Sequence, residues 1–337
     1  MAARNPLTVE VTRGGMVESR HRGAAVVIDA KGKAVHAWGE IERTVYPRSA
    51  IKPLQALALV ETGAAEAFAV TDAELALASA SHVGQPQHTE AILAWLERIG
   101  LGPDDLECGA HEPLDAETAK ARARAGESPG AVDNNCSRKH VGMLTTAIHL
   151  GEETAGYTRP GHPVQQRLRA ILTDMGGADL SQAPEGTDGC GIPVFGMPLS
   201  AMARAMARMA DTKGLEDGRA EAAGRIVAAM MSNPLLVGGR GRFDTVAMAA
   251  ANGAFAVKTG AEGMHGAILP GLGLGVAVKI DDGARRAAQV AMAAILDYLG
   301  VLDGEAKVAL AGFLETPVLN EKGERVGDIR MAPDWLG

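Results

Sequence analysis

The sequence is poor in aromatic side chains, which make up 3% of its 337 residues, and it has no excess of positive charge. Lysine and arginine number 33 against 41 aspartates and glutamates, so the formal net charge is −8. A nucleic-acid-binding surface needs cations for the phosphates and often aromatic rings for the bases. The composition therefore argues against nucleic acid as a partner.

Long apolar runs are also missing, since no uninterrupted apolar stretch reaches the roughly 18 residues of a membrane-spanning helix. The first ten residues, MAARNPLTVE, lack the hydrophobic segment of a secretory signal peptide. We therefore expect a cytoplasmic protein without a membrane partner. The three cysteines, Cys108, Cys136 and Cys190, are too few and too far apart for a disulfide framework, which predicts reduced thiols or metal ligands.

Strand-like alternation marks both ends of the chain, and Ala-rich helical patterns fill its middle. The predicted strands cover residues 7–12, 25–29, 34–38, 254–258, 266–269 and 273–280, followed by a terminal hairpin over 317–329. Because isolated hairpins are marginal in water, the two ends are expected to share one antiparallel sheet. We predict an α+β fold in which residues 1–48 and 240–337 form a sheet-containing lobe. Residues 49–239 form an inserted, mainly helical lobe within the same continuous compact unit.

The capping box of Thr71 and Glu74, in which each side chain can bond the other's backbone amide, predicts a helix over 72–80. Further helices are predicted over 89–99, 138–150, 163–175, 198–210, 219–231 and 284–299. Met202, Met206 and Met209 recur at helical spacing and indicate a buried stripe rather than a cofactor site. The run GLGLG at 271–275 lacks the Gly-Lys-Ser/Thr ending of a phosphate loop, so its glycines are attributed to a turn and a strand.

The segment YPRSAIKP contains the most informative motif, Ser-x-x-Lys, formed by Ser49 and Lys52. Pro53 has no amide hydrogen and is tolerated only near a helix start, which predicts a helix over 49–63 with Ser49 and Lys52 one turn apart. A lysine amine with a lowered pKa can accept the proton of a serine hydroxyl and make it a nucleophile. The same spacing also suits a helix cap followed by a solvated lysine, and the motif alone leaves both interpretations open.

Two further segments provide context for this motif. Lys258-Thr259-Gly260 ends a predicted strand, and Ser81 lies at the end of the capped helix. Penicillin-binding proteins and class A β-lactamases combine Ser-x-x-Lys at a helix start with Lys-Thr-Gly on a strand, but their Ser-Asp-Asn motif is missing here. Lys258 is therefore either an edge-strand lysine or part of a catalytic set. Ser81 is either an inert helix-end residue or a second activated hydroxyl partnered by Lys258.

Two cysteines lie in turn-forming segments, Cys136 in DNNCSRKH and Cys190 in TDGCGIP. Cys136 is predicted at a helix start, where a thiolate is favoured. The pattern fits ligation or reactivity, and it also fits two buried apolar thiols. Two cysteines fall short of the four ligands of a structural zinc site, and Lys139 would have to be neutral to act as a ligand.

Taken together, these motifs resemble the class 3, Rhizobium etli-type L-asparaginases, also called the asparaginase II family. The blocks that carry the resemblance, in chain order, are VEVTRGGMVES, YPRSAIKPLQAL, SASHVGQPQHTE, DNNCSRKHVGML, TDGCGIPVFGMPLS and FAVKTGAEG. The resemblance implies a fold similar to serine β-lactamases and glutaminases. It also implies a homodimer that hydrolyses the side-chain amide of L-asparagine to L-aspartate and ammonia.

Matched motif by motif, the resemblance implies two Ser-Lys tandems, Ser49 with Lys52 and Ser81 with Lys258. In the predicted mechanism, neutral Lys52 accepts the proton of Ser49, Ser49 Oγ attacks the amide carbon, and ammonia leaves an acyl-enzyme behind. Ser81 and Lys258 are predicted to relay a proton to the leaving amine. Repulsion between the two lysines helps to keep one of them uncharged.

The resemblance also implies a bound metal and a set of substrate contacts. One Zn²⁺ per chain is expected to be held by Cys136, Lys139 and Cys190, with water completing the shell. Because two thiolates make the ion a modest Lewis acid, we predict that it orients the substrate rather than generating the nucleophile. The predicted substrate-binding residues are Arg48, His82 and Asp188, of which Asp188 is the candidate partner of the substrate ammonium.

Three alternative functions share parts of this pattern. A glutaminase or a β-lactamase-like serine hydrolase would use the same Ser-Lys chemistry, although the missing Ser-Asp-Asn and the lack of an export signal argue against penicillin hydrolysis. A non-enzymatic metal-dependent binding protein would keep the cysteines and could dispense with both serines and both lysines. All four are present. The preference between asparagine and glutamine is not decided by the sequence.

Overall fold

The computed structural model describes residues 5–337. Its strands are β1 (Leu7–Arg13), β2 (Met16–Asp29), β3 (Ala34–Trp38), β4 (Thr44–Val45), β5 (Glu185–Thr187), β6 (Pro193–Phe195), β7 (Met197–Pro198), β8 (Ala256–Thr259), β9 (Met264–Leu269), β10 (Leu274–Ile280), β11 (Glu315–Leu319) and β12 (Arg325–Met331). Its helices are α1 (Lys52–Gln55), α2 (Leu57–Glu61), α3 (Ala64–Ala67), α4 (Asp72–Ala78), α5 (Pro86–Arg98), α6 (Ala116–Ala125), α7 (Ser137–His149), α8 (Pro163–Gly176), α9 (Leu199–Ala210), α10 (Asp217–Ser232), α11 (Pro234–Gly238), α12 (Phe243–Ala251), α13 (Arg285–Tyr298), α14 (Gly304–Ala309) and α15 (Ala311–Leu314). Within this described part of the chain, no helix is both long and apolar enough to cross a lipid bilayer.

The chain divides into two compact units, and the first contains the sheet. This unit comprises the chain up to Ile51, the segment Met197–Asp211 and the chain from Val246 onward. Its eight strands include the order β11-β12-β1-β2-β10-β9-β8, with β3 also paired to β2, and every pairing is antiparallel. Because β1 lies between β12 and β2, the two chain ends share one sheet. The predicted α+β fold with an antiparallel sheet from both ends is confirmed.

Helices α9 and α13 both pack on this sheet. All six residues of β9 are buried, so both alternating sets of side chains are covered and both sheet faces lie under other elements. The predicted methionine stripe covers part of one sheet face, since Met202, Met206 and Met209 of α9 are buried. The stripe approaches β9 at Gly266, whose missing Cβ would lie 3.1 Å from Met202 and 3.3 Å from Met206.

The approach of α9 to β10 depends on Gly275. A Cβ atom at this position would overlap the backbone of Ala203, Met206 and Ala207. Since backbone atoms cannot move aside as a flexible side chain can, Gly275→Ala is expected to destabilise the protein by about 3 kcal/mol and lower Tm by about 5 °C or more. Differential scanning calorimetry measures the shift.

Gly271→Ala is the matched control for this substitution. Its Cβ would meet no atom within 4 Å, and it belongs to the same glycine run. Equal melting temperatures for the two variants would contradict the close approach of α9 to β10.

The second unit is mainly helical and comprises Lys52–Gly196 and Thr212–Thr245. Helix α7 is its centre, because every residue from Ser137 to Ala147 is buried. Helices α2, α3, α4, α5 and α8 pack around it. The capping box of Thr71 and Glu74 at the start of α4 is present as predicted, and α10 and α11 pack on α4.

The observed units correct the predicted lobe boundaries. Residues 197–211 were assigned to the helical lobe but belong with the sheet, because α9 places its methionine stripe there. The chain passes into the helical unit at Lys52 rather than at residue 49, and it returns at Val246 rather than at residue 240. An apolar stripe in the sequence shows that a helix face is buried, but it does not show which element buries it.

Candidate active site

Lys52 is fully buried in the helical unit, and its amine is surrounded by oxygen acceptors. Nζ donates to the carbonyl of Ala80 at 2.7 Å, to Oγ of Ser81 at 3.0 Å and to the carbonyl of Asn135 at 3.3 Å. Three acceptors match the three N–H groups of a charged lysine. Within this unit, therefore, two of the predicted catalytic residues, Lys52 and Ser81, are in direct contact.

The loop that carries Ser81 is fixed at both of its ends. Helix α4 ends at Ala78, and the Ser81 amide donates to the carbonyl of Val237 at 3.1 Å. The carbonyl of Val83 accepts from the amide of Asp115 at 2.9 Å. Because the backbone is bonded on either side of Ser81, its hydroxyl is presented to Lys52 by a rigid loop rather than by a flexible one.

His82 follows Ser81 and is fully buried, with both ring nitrogens in hydrogen bonds. Nδ1 accepts from the Gly84 amide at 3.1 Å, so the ring proton is on Nε2, which donates to Ser137 Oγ at 2.9 Å. Burial, followed by the nearby charge of Arg138, lowers the pKa of His82 well below its usual range. His82 is thus a neutral donor inside the protein, and the substrate contact predicted for it stays a prediction.

The segment before α7 is organised by two side chains that the sequence analysis did not single out. Asn134 is buried, accepts from the Cys136 amide at 2.9 Å, and donates to the carbonyls of Cys108 and Gly109 at 2.8 and 3.1 Å. Arg138 donates to the carbonyls at the start of α5. The Asx-type turn of Asn134 was detectable in the sequence, since asparagine commonly bonds the amide two residues later.

Cys136, Lys139 and Cys190 lie together in the helical unit, as the resemblance implies. Lys139 Nζ is 3.1 Å from Cys190 Sγ, and the Cys190 side chain is hydrogen-bonded to Cys136. All three side chains are buried. No disulfide joins these two cysteines or Cys108, in agreement with the prediction of reduced thiols or metal ligands.

Mutual interactions set the charges of this cluster. The hydrogen bond from Cys190 lowers the pKa of Cys136, while the same bond and burial raise the pKa of Cys190. Burial acts to lower the pKa of Lys139, but the two cysteines and Asp188 outweigh it and raise that pKa. These shifts favour a thiolate on Cys136 and an ammonium group on Lys139.

The donor chemistry of these three residues fits the implied zinc ion. Two sulfurs and one nitrogen suit a borderline-soft cation, and three protein ligands with one open position are typical of catalytic rather than structural zinc sites. The fit depends on Lys139, because residues 5–337 contain no group of three His, Cys, Asp or Glu side chains arranged to hold a metal. Lys139 must lose its proton to serve as a ligand.

Three other predicted residues, Arg48, Ser49 and Lys258, lie in the sheet unit. Ser49 belongs to a 3-10 helix at Arg48–Ile51, and Lys258 is buried in β8, where its Nζ donates to the carbonyl of Thr259 at 2.8 Å. Strands β8 and β9 both contact this 3-10 helix. Gly260 permits the contact, since a Cβ there would lie 3.0 Å from the carbonyl oxygen of Pro47.

The start of the Ser-x-x-Lys segment differs from the single helix predicted over 49–63. Pro53 has no amide to donate to the Ser49 carbonyl, so the first turn is a 3-10 helix and the α-helical segments begin at Lys52. Arg48 has a φ of +51°, a left-handed conformation that costs a non-glycine residue about 1–2 kcal/mol. Such strain is commonly found at functional sites, and here it directly precedes Ser49.

His88, whose ring lies 5.2 Å from that of His82, gives the site a pH-dependent stability. Burial, followed by the charge of Arg138, lowers the pKa of His88 from 6.5 to about 4. The unfolded chain therefore binds this proton more tightly, so stability present above about pH 6.5 is lost as the pH falls toward 4. Integrated over that window, the loss amounts to about 2.5 kcal/mol by pH 4.5.

Urea unfolding of the wild type and His88→Asn at pH 7 and pH 4.5 tests this expectation. An asparagine side chain can still accept the hydrogen bond that the Gln85 amide donates to His88 Nδ1, but asparagine does not titrate. The wild type is expected to lose about 2.5 kcal/mol more than the variant over this pH range. Equal losses would show that His88 does not titrate in this window.

The model of the L-asparaginase II family matches residues 9–331, nearly the whole chain. The chain belongs to the L-asparaginase II family. Membership of this family makes the protein an amidohydrolase and supports L-asparagine hydrolysis as its general activity. This agrees with the resemblance seen in the sequence. No curated protein matches the chain.

Two solved structures are also similar to this family member. A β-lactamase from Mycobacterium bovis has 14% identity, with 86% of this chain and 94% of that chain covered and a TM-score of 0.43. A "putative beta-lactamase" from Bacteroides dorei has 13% identity, with 77% and 84% covered and a TM-score of 0.40.

Proposed function

We propose that this protein hydrolyses the side-chain amide of L-asparagine through an acyl-enzyme on Ser49, with Lys52 as the base. Lys52 accepts the hydroxyl proton, and Ser49 Oγ bonds to the amide carbon. The amide nitrogen takes up a proton as the C–N bond breaks and leaves as ammonia. Water then hydrolyses the ester, which gives aspartate and restores the serine.

The observation that carries this proposal is the environment of the Lys52 amine. Lys52 is fully buried, and its amine is within hydrogen-bond distance of the Ser81 hydroxyl and two backbone carbonyls. A neutral amine keeps two N–H donors and gains a lone pair. Lys52 can therefore keep its shorter bonds to Ala80 and Ser81 and give up the 3.3 Å contact to the Asn135 carbonyl.

Ser81 is suited to the relay part of the proposal. Because Lys52 donates to its Oγ, the Ser81 hydroxyl hydrogen is directed to some other acceptor. A hydroxyl held in this way can donate its own proton to a leaving amine. The pairing of Ser81 with Lys258 in this relay rests on the family resemblance.

Substrate binding and the metal complete the proposal. Arg48 is proposed to bind the substrate carboxylate, and Asp188 is proposed to bind its ammonium group. Zinc, when bound by Cys136, Lys139 and Cys190, supplies a Lewis acid that orients the substrate. The thiolate character of Cys136 supports cation binding at this place.

Ammonia release from asparagine and from glutamine, and the colour change of a chromogenic β-lactam, each measured with and without a chelator, test the substrate class. Hydrolysis of asparagine in preference to the other two is expected. Addition of hydroxylamine tests the acyl-enzyme, because this amine competes with water and yields β-aspartyl hydroxamate. Asparagine turnover without any hydroxamate would contradict the covalent route.

A further inference from the structure

The bond between His82 and Ser137 joins the Ser81 loop to the first turn of α7. His82 directly follows Ser81, and Ser137 directly follows Cys136, so one hydrogen bond connects the serine loop to the segment carrying a proposed zinc ligand. The bond is 2.9 Å long, and both residues are fully buried. No water competes for it, which makes it stronger and more directional than the same bond on the surface.

The neighbouring bonds allow only one proton arrangement. The Gly84 amide donates to Nδ1 of His82, so Nε2 is the donor toward Ser137. The Ser137 hydroxyl in turn donates to the carbonyl of Val132 at 3.1 Å. These bonds form a continuous chain from the Gly84 amide through His82 and Ser137 to the Val132 carbonyl, and His82 is also hydrogen-bonded to the backbone of Asn134, so the ring orientation is fixed.

The charges around the ring favour this neutral arrangement. The titratable groups whose charges act on His82 are Arg138, His88 and Lys52. A positive charge on the His82 ring would be repelled by Arg138 and would have no carboxylate partner among the groups that influence it. A neutral ring with hydrogen bonds on both nitrogens is suited to holding the adjacent Ser81 loop in place.

We propose that His82 is a positioning residue whose bond to Ser137 holds Ser81 Oγ beside Lys52. The proposal rests on the proposed function, in which Ser81 relays a proton. It assigns His82 a role different from the substrate contact predicted from the sequence. Loss of the bond lets the loop relax, so the 3.0 Å contact between Lys52 and Ser81 is populated for less of the time.

Two substitutions remove the bond from opposite sides. His82→Asn keeps an acceptor for the Gly84 amide but does not reach Ser137, and Ser137→Ala leaves His82 intact. Each is expected to lower kcat for asparagine about 10- to 100-fold with KM changed less than threefold. The double variant is expected to be no slower than the slower single variant, because both remove the same interaction.

Two conservative variants and one control separate positioning from general damage. Ser137→Thr retains a hydroxyl, and His82→Gln retains an amide donor. The kcat of Ser137→Thr is expected to be at least tenfold above that of Ser137→Ala, and the kcat of His82→Gln at least tenfold above that of His82→Asn. His88→Asn changes the adjacent buried histidine without touching the Ser137 bond, and kcat is expected to stay within threefold of the wild type. If His82 contacts the substrate instead, Ser137→Ala keeps wild-type kcat while His82→Asn raises KM, and the proposal is overturned.

A measurement without turnover separates this proposal from the proposed function. In a Ser81→Cys variant, the new thiol lies beside the Lys52 amine, and its alkylation by iodoacetamide is followed by peptide mass mapping. Adding Ser137→Ala is expected to slow alkylation at least threefold at pH 7, because the new thiol loses the neighbouring amine that can accept its proton. An unchanged rate contradicts the positioning role even if the protein is an active asparaginase. A slower rate supports it even if asparagine is not the substrate.

Discussion

Lys52→Met is expected to lower kcat for asparagine by about 1,000-fold or more, because methionine fills a similar volume but can neither accept nor donate a proton. The substitution also leaves the Ala80 carbonyl, Ser81 Oγ and the Asn135 carbonyl without the donor they share. Steady-state ammonia release measures kcat, and thermal unfolding reports whether the variant folds.

Lys279→Met is the matched control for this lysine. Its Nζ also donates to backbone carbonyls, those of Glu262 and Ile280, but it lies in the sheet unit on β10. We expect its kcat to stay within a factor of about two, as for other substitutions away from the reacting groups.

Lys52→Arg provides the outcome that would contradict a base at this position. Arginine keeps the positive charge but is not deprotonated in proteins, so it can donate to the same acceptors and cannot act as a base. A Lys52→Arg protein with a tenth or more of the wild-type kcat would mean that Lys52 acts only as a fixed cation.

Local signals in the sequence predict this fold well where one pattern determines one element. The capping box at Thr71 and Glu74 starts α4 at the expected residue. The terminal hairpin appears as β11 and β12, and the glycines at 271–275 lie in a turn and in β10 as expected. In each case the residues that carry the signal also make the bonds or turns that form the element.

Features that depend on tertiary contacts were missed. Helix α6 has no buried residue, so it has no apolar face for a periodicity search to detect. The methionine stripe of α9 was identified as buried, but the sequence did not show which strands bury it. Its partners are β9 and β10, where Gly266 and Gly275 leave space for α9. Pattern analysis shows how residues alternate, whereas partner choice depends on shape across the whole chain.

The site shows the same division between local and tertiary information. Motif matching selected Cys136, Lys139 and Cys190, and the structure brings these three together. It did not identify Asn134, which fixes the Cys136 turn, or Ser137, which bonds His82. Supporting residues of this kind have no characteristic spacing, because their partners are distant in sequence and are selected by the folded geometry.

Ser49→Ala is expected to abolish acyl-enzyme formation, with kcat at least about 1,000-fold lower and no β-aspartyl hydroxamate formed in hydroxylamine. Ser81→Ala removes the proposed proton relay and one acceptor of the Lys52 amine but leaves the nucleophile, so a smaller loss of about 100-fold is expected and hydroxamate still forms slowly. Rapid quenching followed by peptide mapping identifies the serine that carries the aspartyl group.

Ser79 supplies a control of the same chemistry two residues from Ser81. It is fully buried, and its hydroxyl finds no hydrogen-bond partner in the described part of the chain. Removing an unsatisfied buried hydroxyl costs nothing in hydrogen bonding, so Ser79→Ala is expected to keep wild-type kcat and equal or higher stability. If the aspartyl group maps to Ser81, or if Ser49→Ala retains near-normal turnover, the nucleophile is not Ser49. The contact between Lys52 and Ser81 would then be the reactive pair, with Lys52 as the base for Ser81 itself.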